Sequence, residues 1–261
     1  MLRSMIIMPR FALACLGLAT AFFASTPESG LAQQRTMQAL SYQDCLGLVR
    51  SRPEEAFAEA QTWQATGGGL AAAHCAALAL FELKHYGDAA DRLEKLLPDA
   101  ERQVPHLVTD IVDQAANAWL LAGLADRARK LLDIAVAARP NAVELRLDRA
   151  QALAELNDYA GAEADLNHAL ALEPLRDDAM ALRAAARRLQ NNTAGALEDA
   201  ETALALNGRN VEALLERAYL RVSAGDRRGA RADLVQVRML APDTAAAEAA
   251  AKQIEALDFN R

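Results

Sequence analysis

Small and apolar positions recur along this chain at a fixed interval of 34 residues. Ala128, Ala162, Ala196 and Ala230 form one column; Leu132, Leu166 and Leu234 form another, with Ala200 in the remaining place. Turn-tolerant residues keep the same register at Gly123, Asn157, Asn191 and Gly225. So do helix-stopping residues at Pro140, Pro174 and Pro242, with Gly208 completing the series. Such an interval is the mark of stacked repeats rather than of one central core. Four units follow without a break over 109–142, 143–176, 177–210 and 211–244. Each holds two stretches of helical period. In the last unit these are 211–224 and 227–240, separated by Gly225-Asp226; in the second, Asn157-Asp158 is the break and Glu173-Pro174 the stop. Proline cannot continue a helix, and the residue before it avoids the helical region. Each unit is therefore predicted to be a helical hairpin, with Ala150 facing Ala162 and Ala218 facing Ala230 where its helices meet.

The flanks follow the pattern more loosely. Residues 71–98 fit one more unit, with Ala77 and Ala89 in the small positions and Pro98 as the stop, and 99–108 then reads as a short insertion. Residues 42–65 read as a degenerate first hairpin, broken at Arg52-Pro53 and closed by Gly67-Gly68-Gly69. Residues 245–257 form a final helix, of the kind that caps the last apolar face of a stacked array.

This pattern resembles the tetratricopeptide repeat, a 34-residue helix–turn–helix unit. The family's small residues stand at the eighth, twentieth and twenty-seventh positions and its proline at the thirty-second. Here the eighth positions are Ala116, Ala150, Ala184 and Ala218, the twentieth are the alanine column above, and the twenty-seventh are Ala135, Ala169, Ala203 and Val237. The family's bulky positions are thin, with Trp119 and Tyr159 the clearest survivors. The resemblance implies an all-α, right-handed α-solenoid of about six hairpins plus a C-terminal capping helix. The chain divides into divergent hairpins over 33–108, four regular units over 109–244 and a cap over 245–261.

The resemblance also implies a function, protein or peptide binding on the concave surface built from the first helix of each hairpin. At the second, fifth and ninth positions stand Asp110, Asp113 and Asn117, then Glu144, Leu147 and Gln151, then Asp178, Ala181 and Ala185, then Glu212, Leu215 and Tyr219. The lining is acidic and apolar, which suits a basic or amphipathic segment. The candidate contact residues are Asp110, Asp113, Asn117, Glu144, Gln151, Leu215 and Tyr219. Tyr219 leads, because tyrosine is enriched at interface hot spots and leucine is not. The family's carboxylate clamp is not implied, since only Asn117 matches it.

One departure from the family is informative. The seventh position holds Arg149, Arg183 and Arg217, where the family usually has leucine, and Asp165, Asp199 and Asp233 stand in the same units further on. Unit 109–142 has Ala115 and Leu131 in those two places, so both partners are missing together. The physical reading is an ion pair between the helices of one hairpin, bidentate where geometry allows. The other reading is an arginine ladder lining a ligand groove. Arg187 and Arg221 have no matched acid and are left for a surface role.

Composition narrows the function further. The chain has 261 residues, 5% aromatics and a net charge of −7. Alanine dominates, and it favours helix because it loses no side-chain entropy there. An acidic balance argues against the basic footprint of a nucleic-acid binder, and no nucleic-acid partner is expected. No histidine lies in His-Glu-x-x-His or in a zinc-ligand spacing, and no serine lies in Gly-x-Ser-x-Gly. A non-enzymatic adaptor or scaffold without cofactor or metal is expected. The competing functions are capture of a short peptide or small ligand, and an enzyme whose site is unrecognised.

The first residues read as an address. Arg3 and Arg10 precede an apolar run over 11–24 and a small-residue stretch ending in Gly30-Leu31-Ala32. That order is that of a secretory signal peptide over 1–32, and the run is shorter than the roughly 20 residues a membrane span needs. An uncleaved anchor is the alternative. Export to the periplasm of a diderm bacterium is expected, without stable membrane insertion after cleavage. Cys15 falls in that segment, which leaves Cys45 and Cys75 as an even pair. In an exported chain an even pair suggests a disulfide, with two buried free thiols as the alternative. The register places both cysteines on neighbouring first helices. The expected outcome of intact-mass analysis is an exported protein lighter than its reduced form by the pair of thiol hydrogens; free-thiol labelling of both residues would overturn the pairing.

Overall fold

The computed structural model describes residues 41–259, and the signal-peptide expectation for 1–32 lies outside them. The described residues fold into helical hairpins: α1 (Tyr42–Ser51) with α2 (Pro53–Ala65), α3 (Gly69–Glu82) with α4 (Tyr86–Gln103), and α5 (Val108–Leu121) with α6 (Ala125–Ala138). Then come α7 (Val143–Glu155) with α8 (Tyr159–Leu172), α9 (Asp177–Leu189) with α10 (Thr193–Leu206), and α11 (Val211–Ser223) with α12 (Arg227–Leu240). Helix α13 (Ala245–Phe259) closes the stack, and a 3-10 turn, Pro105–Leu107, precedes α5.

Each hairpin from the second to the sixth turns on a residue in the left-handed region, while the first turns at Arg52 with φ −148°. Gly123 (φ 74°) and Gly225 (φ 80°) occupy this place, as do Asn157 and Asn191 (both φ 63°). Lys84 (φ 63°) takes the same place in the α3–α4 hairpin. The side chains of Asp158, Asn192 and Asp226 then cap α8, α10 and α12 by accepting from the backbone N–H groups of Gly161, Gly195 and Gly229. Such caps satisfy donors that the first helical turn leaves without partners. Glycine at the receiving position leaves the capping side chain its place: a Cβ on Gly195 would lie 2.9 Å from Asn192 Nδ2, which would have to shift.

Inside the hairpins the small residues let helices approach closely. Ala150 and Ala162 are buried in one apolar cluster, and Ala218 and Ala230 in another. First helices of neighbouring hairpins also touch directly: α1 with α3, α5 with α7, α7 with α9, and α9 with α11. Among the described residues the second helices pack instead on their own partner and on the next first helix. Contact in one layer and spreading in the other puts the first helices on the inside of the curve. Helix α13 buries Ala246, Ala250, Ile254 and Leu257 against the last hairpin.

The stop expected at Pro98, with an insertion after it, is corrected: α4 runs through Pro98 to Gln103. A proline inside a helix costs about 3 kcal/mol. Burial of Ala100 and packing of Leu97 and Val104 on the main core cluster hold the added turn.

Buried carboxylates tie the later hairpins together. Asp165 receives Arg149 Nε at 2.6 Å and Nη2 at 2.7 Å. Asp199 receives Arg183 Nε at 2.8 Å and Nη2 at 2.7 Å, and Asp233 receives Arg217 Nε at 2.9 Å and Nη2 at 2.7 Å. The surface role left for Arg187 and Arg221 is corrected, because both reach these same carboxylates. Arg187 Nη1 donates to Asp199 Oδ2 at 2.8 Å and Arg221 Nη1 to Asp233 Oδ2 at 2.7 Å. Asp165 draws its second arginine, Arg146, from another turn of α7, because Leu153 stands where Arg187 would. A bare carboxylate this deep would be costly, and two guanidinium groups supply both charge and donors. The free arms reach back one hairpin: Arg149 Nη1 to Asp133 Oδ1 at 3.2 Å, and Arg183 Nη1 to Asn167 Oδ1 at 2.8 Å. Hydrogen bonding to Asp165 and to Asp233 also holds the Arg149 and Arg217 guanidinium groups above their ordinary range.

Asp199→Ala removes the buried carboxylate that Arg183 and Arg187 share and leaves them only the side chains of Asn167 and Glu163, and urea unfolding is expected to show a loss of about 3–5 kcal/mol. Arg183→Leu combined with Asp199→Leu, the arrangement nearest to Ala115 and Leu131 in the third hairpin, is expected to lose less than the single change. A double variant as unstable as the single would overturn this account.

Candidate functional site

The inner layer of first helices carries the sequence-selected contact residues, and the structure sorts them. Asp110 and Glu144 are exposed, and Asp113, Asn117 and Gln151 are half-buried. Leu215 is corrected: it is 6% exposed and packs with Leu214, Ala218 and Leu234, so it belongs to the core. Leu147 is fully buried for the same reason. A first helix of this solenoid turns two of its faces into apolar contacts, one to its own partner and one to its neighbour. Position alone does not separate those faces from the open one.

Glu144 is not a free carboxylate. Arg176, in the connection before α9, donates to it through Nη1 at 2.8 Å and Nη2 at 3.2 Å, and also to Asp178 and Glu173. These acceptors, Asp178 first, raise the Arg176 guanidinium well above its ordinary range. Part of the acidic lining is thereby neutralised within the molecule.

Tyr219 is half-buried, and its ring lies under the Arg188 guanidinium, whose carbon stands 5.0 Å from the ring centroid. Arg188 donates through Nε to Glu216 Oε2 at 2.5 Å and through Nη2 to Glu216 Oε1 at 3.1 Å. Glu216 itself is 7% exposed. The three side chains join α9 to α11 on the inner face. Burial, and then the Glu216 charge, push the Tyr219 hydroxyl up, against the opposing pull of Arg188. Sequence reasoning missed Arg188 and Glu216. The available signal was that Arg188 lies one helical turn beyond Ala185, the repeat equivalent of Tyr219.

A second polar cluster lies at the N-terminal end. Tyr42 Oη donates to His74 Nδ1 at 2.6 Å, and His74 Nε2 meets Gln114 Oε1 at 2.7 Å. The amide oxygen can only accept, so Nε2 carries the proton and Nδ1 receives the tyrosine hydroxyl. This chain links α1, α3 and α5. Beside it a disulfide joins Cys45 of α1 to Cys75 of α3, with Cα atoms 6.2 Å apart and both residues fully buried. Closing a loop of about 30 residues stabilises by roughly 3–4 kcal/mol on a chain-entropy model. Burial lowers the His74 pKa, against the Gln114 hydrogen bond and the nearby Asp110 charge, which raise it. Among the described residues no group of three or more His, Cys, Asp and Glu side chains could hold a metal ion. None of the described helices is long and apolar enough to cross a membrane.

The lowered His74 pKa has a definite sign for stability. The unfolded chain takes up a proton near pH 6.5, where folded His74 still resists it, so stability falls as pH falls from about 6.5 towards the depressed value. Replacing His74 by Asn is expected to remove that part of the pH dependence of unfolding. An unchanged slope in the variant would contradict the assignment.

No family model matches the chain, and no curated protein matches it in sequence. Solved structures do share its fold. A tetratricopeptide repeat protein from Parabacteroides merdae aligns with a TM-score of 0.68 at 14% identity, over 85% of this chain and 86% of that one. Yeast Tom70 aligns with a TM-score of 0.65 at 17% identity, over 84% of this chain and 47% of that one. YrrB, described as a TPR protein with an unusual peptide-binding site, aligns with a TM-score of 0.54 at 19% identity, over 68% of this chain and 90% of that one. Identities this low speak for the fold alone, and the fold of the described residues is that of a tetratricopeptide-repeat α-solenoid.

Proposed function

We propose that this chain is a non-enzymatic adaptor of the bacterial cell envelope, exported to the periplasm, that holds a partner protein on the inner face of its first helices. The observation that carries this reading is the half-buried Tyr219 with Arg188 stacked on it, on the same layer of first helices as the polar positions of α5 and α7. Tyrosine and arginine are the residue types in which interface energy concentrates. Solenoids of this kind use the surface their curvature creates for extended binding. YrrB, with the same fold, is described as having a peptide-binding site. The buried pair Cys45–Cys75 suits an oxidising compartment, as does the address-like start of the sequence. Capture of a small ligand has less support: a groove of about 710 Å³, lined by Phe57, Leu80, His85 and Arg92 among others, lies between α2 and α4, away from this face.

Crosslinking and affinity capture of the exported protein in its native cell tests the reading. Tyr219→Ala and Asp113→Lys are expected to weaken recovery of the partner about tenfold, and Thr202→Lys on the exposed side of α10 to leave it unchanged. Equal recovery across all of these variants would overturn the assignment of the face, and cell fractionation that leaves the protein in the cytosol would overturn the compartment.

A further inference from the structure

Helix α12 carries a basic stripe on the outer side of the stack. It has arginines at 227, 228, 231 and 238, and its one carboxylate, Asp233, is buried and taken by Arg217 and Arg221. A helix turns about 100° per residue, so Arg228, Arg231, Val235, Arg238 and Met239 share one face, opposite the buried Ala230, Leu234 and Val237. The three arginines of that face are exposed, and Met239 beside the last of them is 70% exposed. The arginines of α7, α9 and α11 all reach carboxylates of this chain. Arg228 and Arg238 meet no acceptor among the described residues, and Arg231 comes only within 3.6 Å of Asp258.

The repeat does not require these arginines. In the same three places α10 has Ala194, Leu197 and Leu204, and α8 has Ala160, Glu163 and Leu170. Leu170 is buried in one cluster with residues of the following hairpin, whereas Arg238 is exposed. Among the described residues no second helix follows α13, so this face of α12 stays open. A guanidinium with free donors fits a carboxylate, in two parallel bonds where geometry allows. From Arg228 to Arg238 the stripe runs about 15 Å along the helix. Met239 and the half-buried Val235 add apolar contact within it. A wide anionic surface such as a bilayer fits less well, because α13 alongside exposes Glu248, Glu255 and Asp258 to it. A narrow acidic segment can follow α12 and avoid them.

We propose that the outer face of α12 is a second docking surface, and that it takes an acidic amphipathic segment of a partner protein. The carboxylates of that segment meet Arg228, Arg231 and Arg238, and its apolar side chains lie on Val235 and Met239. The charges supply attraction that salt screens; the apolar contacts separate this segment from a simple polyanion.

The probes are helical peptides with blocked termini. One has glutamates spaced to oppose the three arginines, with leucines between them; a second has lysine for glutamate, and a third has serine for leucine. Each carries a photo-reactive side chain and is mixed with the intact oxidised protein. The glutamate–leucine probe is expected to bind, to crosslink to α12, and to weaken about tenfold between low and physiological salt. The serine probe is expected to bind at least about threefold more weakly, and the lysine probe not to bind. Arg228→Gln combined with Arg238→Gln is expected to weaken the glutamate–leucine probe about tenfold with an unchanged melting temperature, because neither arginine holds another part of the described fold. Arg228→Glu combined with Arg238→Glu is expected to take the lysine probe instead. The proposal is overturned if the glutamate–leucine probe fails to bind, if the serine probe binds equally well, if the crosslinks fall on the first helices, or if the arginine variants leave the affinity unchanged. Arginine-dependent binding to anionic lipid vesicles, or arginine-dependent self-association at low salt, in place of peptide binding would give the stripe a different occupant and overturn it as well. The stripe lies on a second helix, so each of these outcomes leaves the inner-face reading where it stands.

Discussion

The structure depends on how closely two helices can approach at a pair of small residues. Ala77 with Ala89, Ala116 with Ala128, Ala150 with Ala162, Ala184 with Ala196 and Ala218 with Ala230 are all buried, one pair to each hairpin from the second to the sixth. A larger side chain at any of these places would push the helices apart and spoil the contact with the next hairpin. The same constraint leaves the core thin, because an alanine removes far less apolar surface from water than a leucine, whose burial contributes about 1.5–3 kcal/mol. Each part of the stack therefore draws added stability from elsewhere.

That source changes along the chain. The first hairpin is short, and Cys45 and Cys75 tie it to the second. The third lacks the Arg–Asp pair and instead buries Ile111, Trp119, Leu120 and Leu132, with Trp119 Nε1 donating to Glu94 and Arg127 lying over its ring. The fourth to sixth bury Asp165, Asp199 and Asp233, each between two arginines. A buried ion pair adds little net stability over an apolar pair of the same size, but it tolerates few alternative arrangements. By reaching back to Asp133 and Asn167, Arg149 and Arg183 also set how one hairpin sits on the previous one. The curvature of the inner face, and so the position of Tyr219 relative to Asp110, follows from that angle.

Much of this was legible in the sequence, because repetition converts weak local signals into columns. The hairpin count, the turn column through Gly123, Asn157, Asn191 and Gly225, and the spacing of Arg149 to Asp165 are all matters of register. Lys84 escaped, since lysine does not advertise a left-handed conformation, and so did Pro98, whose helix-breaking tendency lost to the burial of Ala100. The candidate face was legible only as positions. Leu215 and Tyr219 are four residues apart on one helix, yet the first packs inward and the second lies at the surface under Arg188.

The sequence by itself determined the repeat, its period, its breaks and the columns where helices touch, because these depend on residues close along the chain or equivalent between units. Only the tertiary structure decided which charges meet. Arg187 is 12 residues from Asp199, Arg188 is 28 from Glu216, and His74 is 40 from Gln114. Long arginine side chains choose among acceptors by direction and depth as well as by spacing. The packing angle of the hairpins sets both, and no single unit contains it.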